Sequence, residues 1–309
     1  MDVDFFVQQL VNGLTLGSVY ALIALGYSMV YGILKLLNFA HGEVYMFGAF
    51  IGYFVLSALG GASSPSIPVA PLLVIMFLAA MLGAGLLGVV IERYAYRPLR
   101  NAPRIAPLIS AIGVSFFLQA SALLLFTAQF RTYDTPQLIP VDTTGRIDAG
   151  PLHISLTRIL VIVSTIGLMI GLTLLVSRTR LGKAMRAVSY DREAAAMMGI
   201  DPDRVIVATF FIGSALAGAA GVMFGLVFER VFHLMGFTAG LKGFTAAVIG
   251  GIGNIPGAML GGLIIGLAES FSTGYISSTF QNLIVFGILI VILLVRPTGL
   301  LGSPVLKKV

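Results

Sequence analysis

Asn38, His41 and Glu43 bring an amide, an imidazole and a carboxylate within six positions, around Gly42. Side chains of these types can line a gate, fix a break in a helix, or satisfy the backbone of an interfacial loop. One histidine and one carboxylate fall short of a zinc-type site, which takes about three or four protein ligands. A second candidate is the glycine-rich stretch from Gly250 to Gly257, which contains Gly251, Gly253 and Asn254. Closely spaced glycines expose backbone amides and carbonyls, the groups that broken helices present to polar substrates in transporters. The same glycines also serve close helix packing. Glu269 lies at the edge of an apolar segment and is expected to face lipid headgroups. Cysteine is absent, which excludes thiol chemistry and disulfides. No Gly-x-x-x-x-Gly-Lys-Ser/Thr run occurs, so any ATP must be hydrolysed by another chain.

The elements that must position these residues are apolar. Of 309 residues, 58% are hydrophobic and 10% are charged, against about a quarter charged in a soluble domain. Mean hydropathy is +1.00. Uncharged stretches run from Phe5 to Leu34, Val44 to Ile91, Ile105 to Phe130, Ile159 to Ser177, Val205 to Phe228 and Ser270 to Val295. A spanning helix needs ~20 mostly apolar residues. These stretches exclude a soluble enzyme, a nucleic-acid binder and a disordered chain. The fold class is all-α, a polytopic helical membrane protein forming one transmembrane domain over 1–309. The clearly mid-span positions carry neither carboxylate nor arginine, which argues against an ion-coupled carrier.

The net charge of +6 resides in short loops, the positive-inside pattern of membrane proteins. The turn cluster from Gly60 to Pro68 divides the second apolar stretch into two spans. The loop from Glu92 to Arg104 has four basic residues against one acid, and 178–204 has six against four; both are expected in the cytoplasm. The polar stretch 131–155 is the expected external loop. Two short apolar pieces, near 237–250 and 258–269, flank the glycine-rich break. Counted as a hairpin, they leave the C-terminus, with Lys307 and Lys308, cytoplasmic and the N-terminus outside. The total is eight or nine membrane segments. Asp2 and Asp4 open the chain in place of a basic leader, so no cleaved signal peptide is expected.

The cytoplasmic loop carries the most information. Asp191 can cap a helix with Arg192 to Met198 as its body and Gly199 as the residue that ends it. Asp201-Pro202 then restarts a helix. The short helix presents small or pliable apolar residues, a patch of the kind that marks a partner site or packs on the bundle. The order Glu193-Ala194-Ala195-x-x-x-Gly199 resembles the loop by which ABC-importer permeases dock their coupling helix on an ATPase subunit.

Over almost its whole length the chain resembles the LivH-type permeases of branched-chain amino acid ABC importers. The resemblance rests on Gly17-Ser18-Val19-Tyr20-Ala21-Leu22, Leu37-Asn38-Phe39-Ala40-His41-Gly42 and Gly182-Lys183-Ala184-Met185-Arg186-Ala187, with the run Phe244 to Gly253 and Arg296-Pro297-Thr298-Gly299. It implies a transport subunit of the bacterial inner membrane, without catalysis of its own. A second permease of related fold, two ATP-binding subunits carrying ATP and Mg, and an external substrate-binding protein complete the implied assembly. The coupling residues it implies are Glu193, Ala194, Ala195 and Gly199, with Arg186 beside them. The substrates it implies are leucine, isoleucine and valine, while related permeases carry other amino acids, urea or short amides.

Overall fold

The computed structural model describes residues 3–100, 102–103, 105–138, 146–149 and 152–302. Lys307, Lys308, Asp2 and parts of the expected external loop lie outside the described residues. Helix α1 (Val3–Leu34) is apolar all round, as befits a helix enclosed by others; most of its residues from Gly13 to Val30 are buried. After an extended stretch comes α2 (His41–Ala58). Gly60 and Gly61, both at positive φ, break the chain where the turn cluster predicts, and Pro68 precedes α3 (Val69–Ile91). A π turn (Glu92–Tyr96) and a 3-10 turn (Arg97–Leu99) lead to α4 (Ile105–Phe126).

Strand β1 (Arg131–Thr132), short helix α5 (Thr135–Leu138) and strands β2 (Arg146–Ala149) and β3 (Leu152–Ser155) fill the expected external loop. β2 and β3 pair antiparallel, Arg146 opposite Ser155. Helix α6 (Leu156–Arg178) follows. Two short helices, α7 (Arg180–Tyr190) and α8 (Arg192–Met197), precede α9 (Pro202–Phe228). Strand β4 (Arg230–Val231) pairs antiparallel with β1. The chain then forms α10 (Met235–Gly250), α11 (Ile255–Tyr275), a 3-10 turn (Ser278–Phe280) and α12 (Gln281–Val295).

Among the described residues seven helices are long and apolar enough to cross a membrane; α2 and α10 are not among the seven. The break between α10 and α11 falls where the glycine-rich stretch predicts. At 16 residues, α10 rises about 24 Å, short of the ~30 Å hydrocarbon core. It begins inside the protein, with Gly236 beside Glu43 and Gly240 beside Gly42, and ends where Gly250 packs on Gly257.

Small residues let the backbones approach. Gly13 and Gly17 of α1 lie against Leu267 and Leu263 of α11, and Gly262 of α11 lies on the backbone of Ala21. Gly48 of α2 meets Gly218 of α9, which meets Ala80 of α3. Where apolar lipid surrounds the bundle, such contacts drive association because there is little hydrophobic gain between helices. The outer helices α3, α4, α6 and α12 expose Leu86, Phe117, Leu124, Val163 and Leu294, a surface fitted to lipid.

The packing predicts a contrast. In Gly262→Leu the new side chain collides with α1 backbone, and overpacking of this kind costs about 1–3 kcal/mol or more. Gly113 is exposed with nothing near its would-be Cβ, so Gly113→Leu should leave stability unchanged. Thermal aggregation profiles of the two detergent-solubilised variants test this; equal profiles would refute it.

Candidate functional site

The loop between α6 and α9 is built by its caps. Thr179 accepts from the amide of Gly182 at 3.1 Å to start α7. Asp191 ends α7 and starts α8, its Oδ1 accepting from Glu193 and Ala194 amides, each at 3.0 Å. Gly199 takes φ +83°, and the Ile200 amide turns back to the Ala195 carbonyl at 3.1 Å, the glycine-terminated ending foreseen for this helix. Asp201 caps α9 through the amides of Asp203 and Arg204. The body of α8 stops one residue short of expectation, at Met197, and the preceding helix α7 was not anticipated. Ala195 packs inward, while Met197 and Met198 are 88% and 83% exposed. Glu193 and Ala194 are also exposed.

Asp203 ties this loop to the rest of the same end. It pairs with Arg97 at 2.6 Å, with Arg100, and with Arg192 of α8 at 3.3 Å. Arg100 also pairs with Glu92, whose side chain is fully buried. The exposed pairs contribute little singly, but the cluster joins α8, the start of α9 and the turn after α3. Both basic loops therefore sit at one end of the bundle.

The group around Gly42 is not an interfacial loop. His41 packs against Gly26, eight residues before the end of α1, with its ring 4.8 Å from that of Tyr27. Asn38 accepts from the Tyr96 hydroxyl at 3.0 Å. Glu43 is fully buried; its Oε1 accepts from Gln119 at 2.8 Å and Ser115 at 3.1 Å. Its Oε2 has no hydrogen-bond partner among the described residues and faces the start of α10 at Gly236. All three residues are buried, each against different neighbours, because α2 starts within the bundle.

At the second candidate the glycines divide. Gly250, Gly251 and Gly257 serve close packing, Gly251 against Gly302 and the other two against each other. Asn254 caps α11 through the Gly257 amide at 3.0 Å and donates to the Leu301 carbonyl at 2.6 Å. Gly253 alone reaches a cavity, of about 100 Å³, which it shares with Arg186 of α7. Arg186 itself donates to the Val176 carbonyl. Thus two residues assigned separately, Arg186 and Gly253, converge.

Glu269 does not face headgroups. It is 7% exposed, pairs with Lys242 of α10 at 2.7 Å, and accepts from the Tyr20 hydroxyl at 2.9 Å. The antiparallel hairpin of α10 and α11 brings together residues 27 positions apart. With Glu43 also buried, the inside of the bundle does hold carboxylates, contrary to the sequence expectation. Among the described residues no three metal-ligating side chains come together.

Residues 9–294 match the family described as branched-chain amino acid transport system / permease component. The chain belongs to this permease family. It is 45% identical over its whole length to the high-affinity branched-chain amino acid transport system permease protein BraD of Pseudomonas aeruginosa, covering 99% of that protein. It is 45% identical to LivH of Escherichia coli, a permease protein of the same description, over 99% of this chain and 98% of LivH. A weaker match, 26% over 40% of the chain and 29% of the relative, is to LivM, a second permease protein so described in Escherichia coli. No solved structure matches the chain.

Within this permease, Lys242 and Asp203 went unnoticed in the sequence. Lys242 sits alone in a piece too short to read as a span, and only its distance from Glu269 in the folded hairpin reveals the pair. A buried pair broken on one side typically costs ~3–5 kcal/mol, whereas its replacement by apolar groups is often neutral. Lys242→Met should therefore reduce the yield of folded permease sharply, and adding Glu269→Leu should restore most of it. Monodisperse protein recovered on gel filtration measures this, and equal loss in single and double variants would refute the pairing.

Proposed function

We propose that this permease is a membrane subunit of an ABC importer for branched-chain amino acids, leucine, isoleucine and valine, in the bacterial inner membrane. The observation that carries the reading is end-to-end similarity to permeases named for high-affinity transport of those substrates. The partner is a second permease of related fold, as Escherichia coli has LivM beside LivH. The single domain spans 1–309, with the end holding α7 and α8 in the cytoplasm. There α8 docks in a groove of an ATP-binding subunit, presenting Met197 and Met198, and ATP with its Mg stays on two such subunits. An external binding protein delivers substrate to the opposite end.

The device works if the ATP-bound and free ATPases contact α8 differently, since only differential contacts shift a two-state equilibrium. The pairs of Asp203 carry displacement of α8 to α9 and to the turn after α3, and so to helices flanking the core. Glu43 and the Lys242–Glu269 pair are groups that a self-contained ion-coupled carrier would use, which makes that the rival reading. Lys242 and Glu269 neutralise one another, and the carrier reading leaves the exposed methionines of α8 without a purpose.

Two experiments decide. Recovery of the tagged permease from solubilised membranes should bring two ATPase chains and a second permease; recovery alone, with leucine uptake abolished by an ionophore, would favour the carrier. Gly199→Val places a β-branched residue at positive φ, a strained state costing roughly 1–2 kcal/mol or more. Uptake should fall at least about tenfold, as a loosened α8 misaligns the contact, while the permease remains in the membrane. Unchanged uptake would sink the coupling assignment.

A further inference from the structure

At the end of the bundle opposite α8 lies a cavity of about 280 Å³ between α1, α6, α9, α11 and α12. It lies just under the ~300–1,000 Å³ of small-molecule pockets, a size for one small metabolite. Its wall holds two charged side chains, Arg158 from the first turn of α6 and Glu269 from α11. Leu16, Val227 and Phe228 supply apolar surface. Thr273 and Gln281 stand at the rim, hydrogen-bonded to each other at 3.2 Å.

Arg158 donates to the Asn12 side-chain oxygen and has no carboxylate partner among the described residues, while a guanidinium carries five donors. A half-buried guanidinium without a counter-ion is costly unless an anion completes it, and its planar fork matches a carboxylate. Glu269 is occupied on one side of each oxygen, by Lys242 and by Tyr20. A carboxylate offers about four acceptor positions, so it can still take an ammonium from the cavity side. Counting Lys242, the surroundings carry one net positive charge, which an incoming carboxylate balances.

We infer that this cavity is an entry site for a free amino acid, with the α-carboxylate on Arg158, the α-ammonium toward Glu269, and an aliphatic side chain against Leu16, Val227 and Phe228. The inference rests on the importer reading and gives the permease a recognition step separate from that of the binding protein. It also gives the Lys242–Glu269 pair a role beyond anchoring α10. Lys242 and Tyr20 hold the Glu269 carboxyl in place, and substrate ammonium adds to the network without dismantling it. A ligand lacking the carboxylate leaves Arg158 uncompensated, and unmatched charges of this kind discriminate strongly.

The chain contains no cysteine, so a single Thr273→Cys reports on this cavity without background. The assembled transporter in inverted and right-side-out vesicles is treated with a membrane-impermeant thiol reagent. Modification is expected from the outer side only. Leucine at about ten times its dissociation constant should slow it about tenfold. Leucinamide, lacking the carboxylate, should not protect, and isocaproate, lacking the ammonium, should protect less than leucine; equal protection by isocaproate would overturn the part given to Glu269. Arg158→Gln should abolish protection by leucine, while Arg158→Lys keeps part of it. If vesicles take up leucine but the introduced thiol is unreactive, or reacts at the same rate with leucine present, the site is overturned and the importer reading stands. If the assembled transporter moves no branched-chain amino acid, the importer reading itself fails.

Discussion

Short helix α10 starts in an apolar interior, where its first turn is buried with Met235 and Gly236. Irregular backbone at that depth persists only where protein supplies its partners, and much of the bundle is arranged to do so. Beyond its last turn, the amides of Leu300 and Leu301 reach the carbonyls of Ile249 and Gly250 at 2.8 and 3.0 Å. The Gly250–Gly257 contact brings α11 close enough to close the hairpin. Lys242 then finds Glu269 across it, and the glycines of α11 hold both helices onto α1. Remove any of these and α10 loses the reason to stay inside.

The two ends of the molecule are built from different physics. One end gathers arginines on Asp203, most of them exposed, over the buried pair of Arg100 and Glu92. The other end sets Arg158 and the buried Lys242–Glu269 pair beside a recess, where charges interact more strongly than in open water. The docking of ATPases at the first end and the entry of a polar solute at the second, as proposed, would draw on this contrast.

Much of this was legible in the sequence. The caps at Asp191 and Asp201, the ending at Gly199, the turn at Gly60–Pro68 and the division between α10 and α11 are local, and local chemistry shows them. The positions of Glu43, Glu269 and Arg158 are not local. A helix apolar on all sides, such as α1, has no periodicity to reveal its neighbours, so nothing in the pattern says that Tyr20 faces Glu269. Glu269 stood at the edge of an apolar run and looked interfacial because α11 runs on to Tyr275. α7 was missed because its basic residues read as loop charge, though they alternate with the buried Met185 and Val188. The glycines of 250–257 looked uniform, and only their neighbours separate those that pack from Gly253, which borders a cavity.

Helix α12 buries little more than Val285. With the 3-10 turn Ser278–Phe280 running straight into it, it forms an apolar segment of 18 residues, about 27 Å long against ~30 Å of hydrocarbon. Aromatic Tyr275 and Phe280 lie exposed before it and Arg296 follows it, anchors that pin both ends at the interfaces. No neighbour covers most of its circumference, so lipid surrounds it along most of its length. Because α12 also walls the recess through Gln281, one side of that recess is backed by lipid in place of protein.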